Sequence, residues 1–424
     1  MLKPHIVILG SGFGGTYVAK KLKALVKKGE IDVTLVNKTN YFLFTPLLHE
    51  VATGSLTPSS VAEPIREIFE STGINFCQGT IQSVDLNNRH VHIKANDLHF
   101  TLPYDYLVIA TGAATNYYNI PGAEQFALPL KDLTDAVRIR TKIIDSFERA
   151  ILTEDTEERK HLLSFAVVGG GPTGVETVTE LAEFIRGMIK RYYNTCNLAE
   201  VHISLVHGGK ELLQQFPAEL RKITSERLQD LGVELLLEKT VTAVNPKGLA
   251  LSGESHLTAA TIIWTAGVKA IIPEFESGMP PLVAGRLEVD EFFRLKGSDR
   301  VFALGDVAGY IDSHTETGTK PPMPVAMLAQ AAVSQASVIA KNILASIGNK
   351  KLEDFHFHSQ GSMVSLGQWF AVGNIFSLKI SGRFTWWLWR TVYLFKFASW
   401  RKRIRIGFEW AIGMLYARDV TKLT

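Results

Sequence analysis

The chain is poor in cysteine: its 424 residues carry two, Cys77 and Cys196. They lie far apart and form neither a C-x-x-C nor a C-x-x-x-x-C pair. A disulfide framework, a dithiol redox centre and a cysteine-based zinc site are therefore not expected. No metal-ligand set and no nucleophilic triad is visible either. Long apolar runs free of charge are also missing. The most aromatic stretch, "FTWWLWRTVYLFKFASWRKRIR" (384–405), offers seventeen residues from 384 to 400, about 25 Å of helix against the ~30 Å of a hydrocarbon core. Arg390 and Lys396 fall inside it, each costing roughly 2.5–3.5 kcal/mol near a bilayer centre. A membrane span is not expected. Acids are scarce in the same region: from Lys379 to Thr424 ten Lys/Arg face only Glu409 and Asp419, so the tail carries +8 and the rest of the chain −5. That asymmetry implies an anionic partner, either a membrane surface or nucleic acid.

With 46% hydrophobic and 21% charged residues, the chain can bury a large core and divides into two or three domains. "MLKPHIVILG" enters a strand pattern at once, without a charged leader, apolar core or cleavage site. No signal or transit peptide is predicted, and a reducing, cytosolic setting is expected.

Two glycine turns stand out. "HIVILGSGFGGTYVAKKL" has an apolar strand, then Gly10, Gly12 and Gly15 in G-x-G-x-x-G spacing, then a helical pattern. Gly10 permits the tight turn, Gly12 lets a pyrophosphate approach the backbone, and Gly15 lets helix and strand pack closely. The phosphates would sit on the helix N-terminus, where free N–H groups and the dipole favour negative charge. The next strand, "DVTLV", ends at Asn37, where a ribose-binding acid is usual; an amide still bonds a hydroxyl, with less strength. A second copy follows about 160 residues later, with Gly169, Gly171 and Gly174 in "FAVVGGGPTGVETVTELAEFI" and the strand "EVHISLVHGG" after it. Two such units argue for two dinucleotides. "YDYLVIATGA", "ATIIWTAGV" and "RVFALGDVA" add strands ending in Thr111-Gly112, Ala266-Gly267 and Gly305-Asp306. The order reads as a flavin domain interrupted by a nicotinamide domain.

At this point the sequence resembles the two-dinucleotide-binding-domain flavoproteins, and within them the type II NADH:quinone oxidoreductases. "LVNKTNYFLFTPLLHEVATG" (35–54), "GGGPTGVETVTEL" (169–181), "IIWTAGV" (262–268), "VFALGDVA" (301–308) and "PVAMLAQAAVSQASVIAKNI" (324–343) carry the resemblance. It implies an α/β fold of two Rossmann-like, glutathione-reductase-type domains with a C-terminal amphipathic helical attachment segment. The expected boundaries are 1–130 with 271–345 for FAD, 131–270 for NAD(P)H and 346–424 for the attachment region. It also implies non-covalent FAD, NADH as principal donor with NADPH tolerated, a membrane quinone as acceptor, and no proton pumping.

By that resemblance Gly10, Gly12, Gly14 and Gly15 cradle the FAD pyrophosphate, Asn37 and Lys38 flank its ribose, Thr111 and Gly112 line the dinucleotide, and Asp306 holds the ribitol. Phe44, Thr45 and Pro46 approach the isoalloxazine. Gly169, Gly171 and Gly174, with Ala266 and Gly267, serve the nicotinamide dinucleotide. Glu176, two residues into the second helix, is placed near the nicotinamide; the plain alternative is a first-turn acid complementing the helix dipole. His207 stands where an acid accepts the 2′-hydroxyl of NAD and repels the 2′-phosphate of NADP, so its presence removes that repulsion. At the quinone side the family pattern sets two glutamines one helical turn apart. Here Gln330 keeps the first position, Ser334 takes the second, and Gln335 lies about 100° round the helix. The family's later basic residue is replaced by Gln368 and Trp369.

Other protein classes share some of these features. Sulfide:quinone oxidoreductases need paired redox cysteines that Cys77 and Cys196 do not supply. A ferredoxin-type reductase fits the glycine turns but has no use for the aromatic tail, and a mainly structural or signalling FAD-binding protein remains the alternative of another class. On a helical wheel the tail divides into an apolar half (Phe384, Trp387, Leu388, Val392, Leu394, Phe395, Ala398) and a half with Trp386, Trp389, Arg390, Tyr393, Lys396, Phe397 and Trp400. The expectation is an interfacial helix lying flat on anionic lipid, with Arg390 and Lys396 at the headgroups. "WRKRIRIGFEWAIGMLYARD" adds a second helix. The protein is thus expected at the cytoplasmic face of the inner or plasma membrane, peripheral, without nucleic acid. The tail helices packing against their own protein or a homodimer partner is the structural alternative.

Overall fold

A computed structural model describes residues 3–312, 323–397, 399–416 and 418–422. Ala398 on the helical wheel lies outside the described residues. The elements that matter here are, in chain order, β1 (His5–Leu9), α1 (Phe13–Lys27), β2 (Asp32–Asn37), α2 (Leu48–Ala52), β3 (Asn75–Gln78), β4 (Tyr106–Ile109), β5 (Leu128–Pro129), α3 (Leu133–Ala150) and β6 (Ser164–Val168). They continue with α4 (Pro172–Arg191), β7 (His202–His207), α5 (Ala218–Asp230), β8 (Val233–Leu237), β9 (Thr261–Trp264), β10 (Val301–Ala303) and α6 (Ala329–Ile347). The C-terminal part adds β11 (Ser362–Ser365), β12 (Ala371–Ile375), β13 (Leu378–Gly382), α7 (Arg383–Lys396) and α8 (Trp400–Leu415).

Contacts divide the chain into two compact units. The first holds 1–42, 63–114 and 268–359; the second holds 43–62, 115–267 and 360–424. In the first unit five strands form a parallel sheet in the order β10-β4-β1-β2-β3. Strand order reverses at β1, which pairs with β2 on one side and β4 on the other, so a crevice opens beyond its carboxyl end. Ile6, Val7, Ile8 and Leu9 are all fully buried, as a strand covered on both faces requires.

The second unit repeats the plan with the order β5-β9-β6-β7-β8, again parallel. Its reversal falls at β6, whose five residues are all buried. An antiparallel sheet, β11-β12-β13, leads into α7 and α8. Among the described residues no helix is long and apolar enough to cross a membrane.

These units differ from the expected boundaries. The sequence suggests cuts near 130 and 270 and a separate tail from 346, whereas the contacts cut near 114 and 267 and place 360–424 within the second unit. The physical reason is a set of buried ion pairs, described below, that ties the tail and residues 43–62 to α4.

Candidate functional site

The first glycine turn lies at the carboxyl end of β1. Gly10 has φ +103°, and a Cβ there would come within 2.3 Å of the Ala110 carbonyl oxygen. A Cβ on Gly15 would lie 1.9 Å from the Gly10 carbonyl oxygen, so this residue sets how closely α1 meets the turn. Gly12 is different: a Cβ there would meet nothing within 4 Å. Its hydrogen guards open space. α1 has no side-chain cap and no acid in its first turn, so its free N–H groups face that space without a competing negative charge. This is the environment a pyrophosphate needs, and the residues fit FAD. Gly14, expected in the cradle, is buried against Leu304 and acts in packing.

Around this turn, Asn37 spends its amide on its own loop. Its Oδ1 accepts the Ser11 N–H at 3.2 Å, and its Nδ2 donates to the carbonyl and hydroxyl of Thr39, each at 2.9 Å. Lys38 is exposed. Thr111 donates its hydroxyl to the Ile271 carbonyl, leaving Gly112, at φ +74°, beside open space. Asp306 is half-buried in the turn 305–307, and its charge opposes the burial that lowers the pKa of Arg286. Gln335 is buried and accepts the Gly305 N–H at 2.8 Å, so it holds the turn that presents Asp306. Gln330 and Ser334 sit one turn apart on α6, both half-buried.

The second turn copies the first. Gly171 again meets nothing within 4 Å, Gly174 abuts the Gly169 carbonyl at 1.8 Å, and α4 starts without a side-chain cap or first-turn acid. Glu176 is the fifth residue of α4, deeper than the two-residue count from the motif suggested. It lies beyond the first turn, which removes the helix-dipole explanation. At the end of β7, His207 Nδ1 accepts the Gly170 N–H at 3.3 Å, and burial pushes the imidazole pKa down. That downward shift disfavours the charged form that would attract a 2′-phosphate. Trp264 donates its indole N–H to the carbonyls of Asn116 and Ala266, fixing the loop that carries Ala266 and Gly267.

The feature that the motifs did not announce is a buried ionic cluster in the second unit. Glu176, Glu180 and Glu183 recur along one face of α4, at the i, i+4, i+7 spacing that stacks side chains on a helix. Glu50 and His49 of α2 join them. Glu176 accepts the Ser365 N–H at 3.1 Å and lies 3.7 Å from His49 Nδ1. Glu50 accepts the Trp410 indole N–H at 2.6 Å and lies 4.0 Å from Arg390. Arg418 meets the Glu180 carboxylate at 2.7 Å and the Glu183 carboxylate at 3.5 Å. Glu183 also accepts the Gln368 N–H at 2.7 and 2.8 Å, and Arg227 stands 3.7 Å away. Gln368 therefore meets an anion with its backbone, where the family pattern has a basic side chain.

Burial governs the protonation of this cluster. It pushes the Glu176 carboxyl well above its ordinary range, and raises Glu50 and Glu183 to about 7 each. Desolvation works against the charge of Glu180, yet its carboxyl stays low because the Arg418 and Arg390 guanidiniums outweigh it. Burial lowers His49 to about 4, so it is neutral.

The same cluster corrects the tail. Arg390 does not face outward: it is buried, with its guanidinium 4.0 Å from the Trp386 ring centroid and 4.5 Å from that of Trp410. Trp386, Trp389 and Phe397 are buried with it, and Phe44, expected beside a flavin, packs on Phe397 with ring centroids 4.3 Å apart. Thr45 is exposed and Pro46 half-buried in the following turn. The two halves of the wheel exist, and the one with Trp386, Trp389 and Arg390 faces protein in place of the expected headgroups. Phe384 is 72% exposed and Phe395 65%, with Trp387 between them, while Leu388, Val392 and Leu394 are half-buried, so the apolar half points outward along its aromatic edge. Lys396 and Trp400 are exposed as expected. Cys77 and Cys196 are both free thiols.

Two parallel nucleotide-binding sheets, each with an uncapped helix over an open glycine, define a dinucleotide oxidoreductase. The family model for pyridine nucleotide-disulphide oxidoreductases matches residues 4–336, and that for the NDH2 C-terminal domain matches residues 343–419. The type II NADH:quinone oxidoreductase NdhA of Mycobacterium tuberculosis is 32% identical over 97% of this chain and 87% of its own length. The internal alternative NAD(P)H-ubiquinone oxidoreductase A1 of Arabidopsis thaliana mitochondria is 29% identical over 99% of the chain and 86% of its own. A structure of NDH2 from Plasmodium falciparum in complex with NADH superposes with a TM-score of 0.89 at 26% identity, covering 99% of this chain and all of the other. The chain belongs to the pyridine nucleotide-disulphide oxidoreductase family, and within it to the type II NADH:quinone oxidoreductases.

Proposed function

We propose that the chain oxidises NADH and reduces a membrane quinone by two electrons, with FAD as its resident cofactor. The pair of bare helix N-termini carries this reading, since two dinucleotides need two such sites. The flavin supplies the redox chemistry, taking a hydride from the nicotinamide and giving two electrons to the acceptor. The N-terminus of α1 holds the FAD pyrophosphate beside Gly12, and Asp306 orients the ribitol. The N-terminus of α4 holds the pyrophosphate of NADH beside Gly171. Gln330 and Ser334 face the acceptor with an amide and a hydroxyl. Glu176, its carboxyl pushed well above the ordinary range by burial, lies near the nicotinamide.

The exposed apolar half of α7, with Trp400, Ile404, Phe408, Ile412 and Leu415 of α8, forms the surface that rests on a bilayer. On this reading the protein works peripherally at the membrane, and its cytoplasmic face is the proposed side. The test is direct. The purified yellow protein, given NADH and a soluble short-chain quinone, should turn over at steady state, and bleaching by NADH without turnover would refute the enzymatic reading. Flotation with liposomes should fail for Phe384→Ser/Phe395→Ser/Phe408→Ser, which alters the exposed apolar face and leaves the buried pairs intact.

A further inference from the structure

A cavity of about 400 Å³ opens where α4 ends, lined among others by Arg186, Lys190, Arg191, Arg227 and Arg418. Glu183 is the single acid on its wall. Arg227 and Arg418 are committed to Glu183 and Glu180. The other three are exposed, and among the described residues none of them makes a hydrogen bond or ion pair. A helix C-terminus welcomes cations, which accounts for Lys190 and Arg191 in the last turn. It does not account for Arg186, a like charge four residues before Lys190 on the same face, which weakens the helix. Nor does it account for a concavity.

The mouth of the cavity is apolar. Tyr192, Leu415 and Tyr416 line it and are largely exposed. Leu415 ends the stripe of Trp400, Ile404, Phe408 and Ile412 that runs the length of α8. Positive charge thus lies at one end of an apolar track, the arrangement of an anionic lipid with its phosphate and chains.

We propose that this cavity binds the phosphate of an anionic phospholipid whose acyl chains lie along the α8 stripe. The ligand chemistry is a phosphate with a hydrocarbon tail, and the proposal rests on the reading of α7 and α8 as a membrane-resting surface. Arg186, Lys190 and Arg191 supply the contacts, while Arg227 and Arg418 pair with the acids behind them, Glu183 and Glu180.

The experiment compares the full-length protein on vesicles of phosphatidylcholine alone and of phosphatidylcholine with phosphatidylglycerol. The wild type should prefer the anionic vesicles. Arg186→Gln/Lys190→Gln/Arg191→Gln should lose that preference by on the order of a hundredfold while binding neutral vesicles as before. Lys21→Gln/Lys23→Gln/Lys27→Gln, which removes three exposed charges of α1, should change the preference less than about threefold. Equal losses in both triple variants would overturn the site in favour of diffuse attraction. Competition by millimolar inorganic phosphate, to the level of the triple variant, would overturn the lipid as ligand. Equal binding of the wild type to both vesicles refutes the cavity alone, whereas binding to neither refutes the membrane surface itself.

Discussion

Replacing Arg418 by methionine should release the tail. The guanidinium is almost wholly buried, 2.7 Å from one carboxylate of α4 and 3.5 Å from another, and it also donates to the Glu180 carbonyl at 3.1 Å. Removing one partner of a buried pair costs about 3–5 kcal/mol, because the remaining charge is left without compensation. The protein can escape part of this by protonating Glu180. From its ordinary 4.5 that escape costs about 5 kcal/mol at pH 8 and about 2 kcal/mol at pH 6. The defect should therefore grow with pH and level off near the upper figure. Hydrogen exchange over α7 and α8 reads it locally: at pH 8 protection should fall by roughly a hundredfold to a thousandfold. The variant Arg418→Met/Glu180→Gln should recover most of the loss, since neither charge is then stranded. A change below about fivefold in the single variant, or an equal defect in the double one, would refute the reasoning.

The two open and closed glycines of the first turn should separate cleanly. Gly12→Ala should fold with a nearly unchanged Tm but a lower flavin-to-protein ratio, whereas Gly15→Ala should lose soluble yield, its Cβ having no room beside the Gly10 carbonyl. His207→Glu should leave kcat/KM for NADH within about threefold and lower that for NADPH at least about tenfold, because it restores a charge that repels the 2′-phosphate. Glu50 should show in the pH dependence of stability. Its carboxyl, raised to about 7 in the fold, contributes stability that is full below 4.5 and lost as pH rises through 7. Between pH 4.5 and 8 the wild type should lose about 3 kcal/mol relative to Glu50→Gln by denaturant titration. His49, lowered to about 4, acts with the opposite sign, losing its contribution as pH falls from 6.5 to 4. It is present in both proteins and cancels in the comparison.

The glycine turns were legible because their logic is local: strand, turn and helix lie within a score of residues, and each glycine answers to a neighbour a few positions away. The identity of the sheets followed from the same segments. Arg390 was not legible in this way. The indole of Trp410, which helps cover it, donates to Glu50 across 360 positions, and nothing in the tail itself says which half of its wheel faces protein. Charge beside tryptophan suits a lipid headgroup and a buried carboxylate equally. The acids of α4 did carry a signal, the recurrence at 176, 180 and 183 on one face. Beside the +8 tail, three acids on one helix face are the signal from which the pairing could have been found.

With α7 and α8 resting on a bilayer as proposed, the inward turn of Arg390 also decides which property of a membrane this protein can register. A spanning helix is sorted by bilayer thickness, because a mismatch in length must be absorbed by tilt or by deformed lipid. Here the helix is held on one side by a buried pair, cannot roll, and offers a fixed face one helix radius deep. Thick and thin bilayers should look alike to it. What varies for such a protein is the charge and packing of the leaflet it lies on, so headgroup chemistry, and not membrane thickness, sets where in a cell it settles.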